Sequence, residues 1–247
     1  MAGLDPAIRR GTFAGTDARD KPGHDGQESV PVSGGRREMP ADDGCRVSAS
    51  VDARLVAWAC ATAIRHRRAP HLPKLWLFTD ARRLPDPRAA VARLPRGLGG
   101  VVLRHDGEAG RRALGQDLAR ICRARRLALV VAGDARLAAA LGAGVHLRGG
   151  RWPGSLRPRR GLVTSSAHNP AELRRARRAS ADMVFLSPVF ATASHPGAHG
   201  LGLLRWSRMA CVAGLPMAAL GGIDGASIRR LPRSLCQAIG AIGALAE

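Results

Sequence analysis

Two stretches of this chain carry side chains that could hold an anion and move a proton: Ser187 to Gly202, SPVFATASHPGAHGLG, and Gly214 to Ile228, GLPMAALGGIDGASI. Met183 to Leu186 is a short apolar run with no helix-length continuation, and Ser187-Pro188 turns it into a loop carrying Thr192, Ser194 and His195. In the second stretch Pro216 to Leu220 reads as another buried strand, and Gly221-Gly222 lets the backbone approach a ligand closely. Asp224 is placed to cap a helix running to Leu231, and amides exposed at a helix start suit an anion. A glycine turn followed by an ordinary N-cap would produce the same residues; two such strand ends in succession favour a site.

The elements that must position these residues alternate. From Leu72 onward short apolar strands are predicted at 74–79, 100–104, 127–131, 145–147, 162–165, 182–186, 216–220 and 235–242. Between them Asp86-Pro87 opens a helix through Leu94, Leu114, Leu118, Ile121 and Cys122 share one helical face, and Asp134 starts a helix to Leu141. Asn169-Pro170-Ala171-Glu172 is a capping box, and Trp206, Met209, Ala210 and Ala213 line a sixth helix. Repeated βα units of this length predict an α/β fold, a (β/α)8 TIM barrel that is short or incomplete at its C-terminal end.

The apolar fraction of 45% can fill such a core, although aromatic residues make up only 3% and there is no Tyr. Residues 1–71 carry a net charge of +2 and residues 72–247 carry +18, nearly all of it as Arg. That field would concentrate phosphorylated small molecules, and equally nucleic acid. Nucleic acid is not expected, because the aromatics needed for base stacking are scarce and no basic run is interleaved with them. Five cysteines without CxxC or metal spacing suit a reduced, cytoplasmic protein.

Residues 1–50 lack apolar periodicity and predict a disordered extension; they have neither a secretory apolar core nor a transit-peptide composition. The phrases MAGLDPAIRR and TDARDKPGHDG resemble a translated repeat found ahead of unrelated bacterial reading frames, so a misplaced start is one reading of this segment. Residues 51–71 hold a short apolar run between arginines, which predicts an appended helix too short to span a bilayer, with an interfacial helix as the alternative. Residues 72–247 then form the barrel, with no membrane partner and with room for a homo-oligomer.

The order of the strand-end motifs resembles the thiamine phosphate synthase and TenI family across about Leu72 to Ala244. The segment 187–202 is similar to the family's GPxFxTxTK loop, Ala219 to Ile223 to AIGGI, Gly144 to Leu147 to GVHL, and Thr164 to Asn169 to GxSxHN. Val101 to Asp106 sits where the family has QLREK, and Ala132-Gly133-Asp134 where it has IND.

The resemblance implies that a hydroxymethylpyrimidine diphosphate and a hydroxyethylthiazole phosphate are joined to give thiamine phosphate and pyrophosphate. It implies a pyrimidine carbocation captured by the thiazole nitrogen, with Mg2+, Arg and Lys holding the leaving diphosphate. On this chain it assigns diphosphate binding to Arg104, a Mg2+ ligand to Asp134 and a pyrimidine-site hydroxyl to Ser166. The thiazole-phosphate loop falls on Thr192, Ala193 and Ser194, and the phosphate cradle on Gly221, Gly222, Ile239, Gly240, Ala241 and Ile242. An N-cap explains Asp134 as well as a ligand does, and a loop histidine without a role explains His168.

The departures are specific. The family's glutamine is Val102, its first lysine is Asp106, its IND asparagine is Gly133, its second Mg2+ aspartate falls near Arg151, and its loop lysine is His195. Arg148 and Arg151 could replace part of the metal's charge. TenI-type relatives isomerise a thiazole carboxylate phosphate with an acid/base histidine, and His168 occupies that position. A synthase, a tautomerase and a non-catalytic phosphate-binding barrel are therefore the three expectations.

Overall fold

The structure, a computed structural model, describes residues 52–65, 72–158, 160–192 and 199–246. The expected disordered extension, residues 1–50, lies outside the described residues. Eight parallel strands close into a barrel in sequence order: β1 (Leu75–Phe78), β2 (Gly99–Leu103), β3 (Ala128–Ala132), β4 (Gly144–Leu147), β5 (Val163–Ala167), β6 (Met183–Leu186), β7 (Met217–Leu220) and β8 (Ala238–Ala241). The eighth strand is half the predicted length, yet it pairs with both β7 and β1, so the sheet is closed despite a short last unit.

Strand parity divides the core in two. On β1, Trp76 and Phe78 point into the barrel with Val102, Val130, Met183 and Phe185, while Leu75 and Leu77 point outward with Val101, Leu129 and Ile239. Three aromatics fill the inside: Phe185 packs edge-on against Trp76 at 5.5 Å and Phe78 at 4.8 Å. Gly100 makes this possible, since a Cβ there would lie 2.6 Å from the Trp76 indole.

The outer layer contains α2 (Arg88–Arg93), α3 (Arg111–Arg125), α4 (Ala135–Leu141), α5 (Pro170–Arg178) and α6 (Gly202–Val212). The first of these starts one residue late: Pro87 is the capping residue, and the Asp86 carboxylate accepts the Arg88 N–H at 3.0 Å. Asp134 and Asn169 cap α4 and α5 as expected, through bonds from Leu137 N–H (2.9 Å) and Glu172 N–H (3.0 Å).

The predicted seventh helix is corrected to one 3-10 turn, Ser227–Arg230. Pro232 holds Leu231 in an extended conformation (ψ 132°), which stops any α-helix there. Among the described residues after β8 there is one further 3-10 turn, Gly243–Leu245.

The flank left thin by these short units is covered from the other end of the chain. The appended helix, α1 (Ala53–Arg65), packs against β1, β8 and the Ser227–Arg230 turn. Its Leu55, Val56, Trp58 and Ala59 are buried in one cluster with Leu75, Leu77, Ile239 and Ala241. Among the described residues no helix is long and apolar enough to cross a membrane.

Candidate active site

A cavity of about 930 Å³ opens at the carboxyl ends of the strands, the end where barrels of this kind keep their chemistry. Its floor is His146 of β4, 4% exposed, whose Nδ1 lies 2.9 Å from Thr164 Oγ1 on β5. The ring stands edge-on to Phe78 at 5.6 Å. Burial, then the nearby charges of Arg104 and Arg148, push its pKa down to about 3, so it is a neutral imidazole at ordinary pH.

This has a measurable consequence. Between about pH 6.5 and pH 3 the unfolded chain takes up a proton that the folded chain refuses, so stability is lost as pH falls, by up to ~1.4 kcal/mol per unit. A His146→Gln variant is expected to lose less stability than the parent between pH 7 and pH 4.5 in denaturant titrations; equal losses would refute the assignment.

On one side of the mouth, β2 ends in Arg104. Its N–H donates to Thr79 Oγ1 at 2.9 Å, and the Thr79 hydroxyl in turn meets His105 Nδ1 at 2.9 Å. Because the opposite ring nitrogen faces the Pro85 carbonyl at 3.2 Å, His105 carries its proton on Nε2 and accepts at Nδ1.

β4 ends in a tight turn, Arg148-Gly149-Gly150-Arg151, closed by an Arg151 N–H to Arg148 C=O bond of 3.1 Å. Gly149 and Gly150 have φ of +56° and +75°. Their N–H groups donate to Ser166 Oγ (3.3 Å) and Ser165 Oγ (3.0 Å), and Arg175 Nε donates to the Gly149 carbonyl at 2.8 Å. Ser166 therefore both faces the cavity and helps to hold this turn.

Arg148 lies across Gly133, which has φ +65°; a Cβ there would come within 3.2 Å of the guanidinium. Its charge pairs with Asp106, whose other oxygen is 3.1 Å from Arg111. Arg111 continues to Asp134 at 3.7 Å, and donates to the Ala132 carbonyl at 2.6 Å.

The opposite side is built from backbone. Gly221 and Gly222, with φ of +92° and +65°, follow β7, and residues 240–244 follow or end β8; all line the cavity. A Cβ on Gly243 would meet Arg83 Nη2 at 3.2 Å, so that guanidinium stands beside the β8 exit. Asp224 accepts from Ser227 N–H (2.7 Å) and Ala226 N–H (2.9 Å), and these bonds, Ser227 first, hold its carboxyl below the usual range.

Of the residues singled out from sequence, Arg104, Ser166, His168, Thr192, Gly221, Gly222, Gly240, Ala241 and Ile242 line this one cavity. Ile239 does not: its side chain faces the outer core and its N–H is bonded to the Lys74 carbonyl at 3.0 Å, so the lining of this strand begins at Gly240. Ala193, Ser194 and His195 lie outside the described residues. His146, Arg83 and Arg175 were given no role from sequence; the only signal for His146 was a polar residue at an inward position of an apolar strand.

His168 Nδ1 is 2.8 Å from the Ser187 carbonyl, which only accepts, so Nδ1 carries a proton and donates it there. Its backbone N–H donates to Glu172 at 2.7 Å, a variant of the expected capping box.

The carboxylates do not fit a Mg2+ ion. Asp134 caps α4 with one oxygen and faces Arg111 with the other, and Asp106 is shared by two arginines. Glu172 is taken by the His168 N–H and by Arg175 at 3.5 Å, and Asp224 by its own turn. No group of three metal-type ligands exists among the described residues.

A closed (β/α)8 barrel with an arginine-rich mouth at its strand ends is the class of protein that fold and cavity define. The chain belongs to the thiamine monophosphate synthase family, whose sequence profile matches residues 76–245. It is similar to the thiamine-phosphate synthase of Synechococcus sp. (strain WH7803), 32% identical over 152 residues, which cover 58% of this chain and 42% of that protein. The thiamine-phosphate synthase of Geobacillus thermodenitrificans (strain NG80-2) is 32% identical over 164 residues, covering 60% of this chain and 74% of the relative. In fold it resembles the thiamine phosphate pyrophosphorylase from Pyrococcus furiosus, with a TM-score of 0.57 at 22% identity over 68% of this chain and 85% of that one. The match spans less than half the length of the Synechococcus relative.

Proposed function

We propose that this barrel joins a pyrimidine diphosphate to a thiazole phosphate, giving thiamine phosphate and pyrophosphate. One observation carries the reading: a single cavity has two sides whose donors suit an anion, facing each other across the barrel. Arg104, Arg148 and Arg151 stand on the β2 and β4 side, and the glycine amides of the β7 and β8 exits on the other. A reaction of two phosphorylated substrates needs both sides; an isomerase of one monophosphate needs one.

In this reading the β7 and β8 exit holds the thiazole phosphate and points its ring nitrogen at the pyrimidine methylene. The methylene C–O bond breaks, its electron pair leaves with the diphosphate oxygen, and the nitrogen lone pair forms the new C–N bond. The arginines stabilise the charge that gathers on the leaving group, and the neutral His146 floor adds no competing positive charge. An Arg104→Ala variant is expected to lose about 10- to 100-fold in kcat/KM, the loss of one charged hydrogen-bonding group.

The geometry of His168 favours a second reading, isomerisation of a thiazole carboxylate phosphate with Nε2 as the acid/base group. Incubation with both condensation substrates, following thiamine phosphate and pyrophosphate, separates the two. Condensation that survives His168→Ala within a few fold supports the synthase. Isomerisation of the single substrate, lost in the same variant, supports the tautomerase instead.

A further inference from the structure

We infer that the turn Arg148 to Arg151 is a diphosphate site that works without a divalent cation, two guanidinium groups binding the phosphate oxygens directly. The inference rests on the two-sided cavity proposed above and identifies the chemistry of its β4 side. Four observations lead to it.

The turn is built, not loose. Both of its glycine N–H groups are bonded to serines of β5, one of its carbonyls takes the Arg175 guanidinium, and its ends are bridged to each other. Two arginines flanking such a turn are carried on one rigid piece of backbone, and both line the cavity.

Arg148 is aimed. It lies against the bare Cα of Gly133 and is anchored by Asp106, so its planar fork is fixed before any ligand arrives. Arg151 is exposed and has no carboxylate partner among the described residues. A guanidinium presents paired N–H groups that match two phosphate oxygens, which a compact ammonium cannot do.

The carboxylates that could hold a cation are already committed to arginines or backbone amides, as set out above. A divalent ion placed beside this turn would also face the charges of Arg148, Arg151 and Arg175 within a single cavity. Charge neutralisation of a diphosphate, two to three negative charges at neutral pH, is therefore available from the side chains themselves.

The test is titration of inorganic pyrophosphate into the full chain at physiological salt, first with EDTA and then with excess Mg2+, by calorimetry. Binding is expected in EDTA, with equal or weaker affinity once Mg2+ competes for the pyrophosphate. Arg148→Ala and Arg151→Ala should each weaken it about tenfold or more, while Arg205→Ala on the exposed surface of α6 should leave it unchanged.

A Gly133→Asn variant keeps the fold, because Asn tolerates a positive φ, and should weaken binding by pushing Arg148 aside. Affinity at least tenfold higher with Mg2+ than with EDTA, no binding at all, or both arginine variants matching the parent would overturn the inference. Thiamine phosphate formation that required Mg2+ would sink it and leave the proposed reaction standing. Metal-free pyrophosphate binding without turnover would do the reverse.

Discussion

A chain lacking residues 1–71 is expected not to fold into a stable barrel. The helix lost with that segment packs on the flank of β1 and β8, where the Ser227–Arg230 turn takes the place of a full helix. It buries Leu55, Val56 and Trp58, each worth roughly 1.5–3 kcal/mol in area removed from water. Its removal also uncovers Leu75, Leu77 and Ile239 on the outer face of the sheet. The three buried side chains alone sum to about 4.5–9 kcal/mol, comparable with the whole stability of a typical domain of ~5–15 kcal/mol. Trp58→Ala isolates part of the effect and should cost about 3–5 kcal/mol by denaturant titration. Arg54→Gln, on the exposed face of the same helix, should cost nothing measurable. A truncated chain with the parent's melting temperature would show that the helix is an appendage and not a wall of the barrel.

That role could not be read from the sequence, and the reason is physical. An apolar run between arginines predicts a helix, because its pattern is local, but the surface it covers is decided by how short the last two units are. The alternation of strands and helices was legible for the same reason: each unit has its own apolar period and its own cap, as at Asp134 and Asn169. The seventh helix failed on a clue that was present, since Pro232 forces Leu231 to be extended and leaves room for one turn only.

Residues that the sequence puts at strand ends line the cavity where the strand boundary was right. Ile239 was misplaced because it lies inside β8, two residues short of the strand's end, where its side chain is in the outer core and its N–H is bonded to the Lys74 carbonyl. The bond from Arg148 to Asp106 joins residues 42 apart, on the rim loops after β4 and β2. Only the register of β2, β3 and β4 brings them together, and no local pattern encodes that register.

The largest functional loss is expected from Gly222→Ala. Gly222 sits at φ +65°, and a methyl group there would lie 2.5 Å from the Ala191 carbonyl oxygen and 2.7 Å from Phe190 Cβ. Two costs separate cleanly. The left-handed backbone alone costs a residue with a side chain about 1–2 kcal/mol, which the fold can absorb. The clash is different, because its partners, Ala191 and Phe190, belong to the β6 exit that leads to Thr192 in the cavity lining. Under the proposed reaction, losing two phosphate contacts at about 1.5–3 kcal/mol each is expected to lower kcat/KM for the thiazole phosphate by on the order of 10³. Gly97→Ala provides the control, since Gly97 has a similar φ of +71° but open space around its missing Cβ. Both variants should lose a few degrees of thermal stability, and only Gly222→Ala should lose substrate affinity. If the two behave alike in a KM measurement, the β7 exit does not hold the phosphate, and the two-sided cavity loses the side that makes a bimolecular reaction necessary.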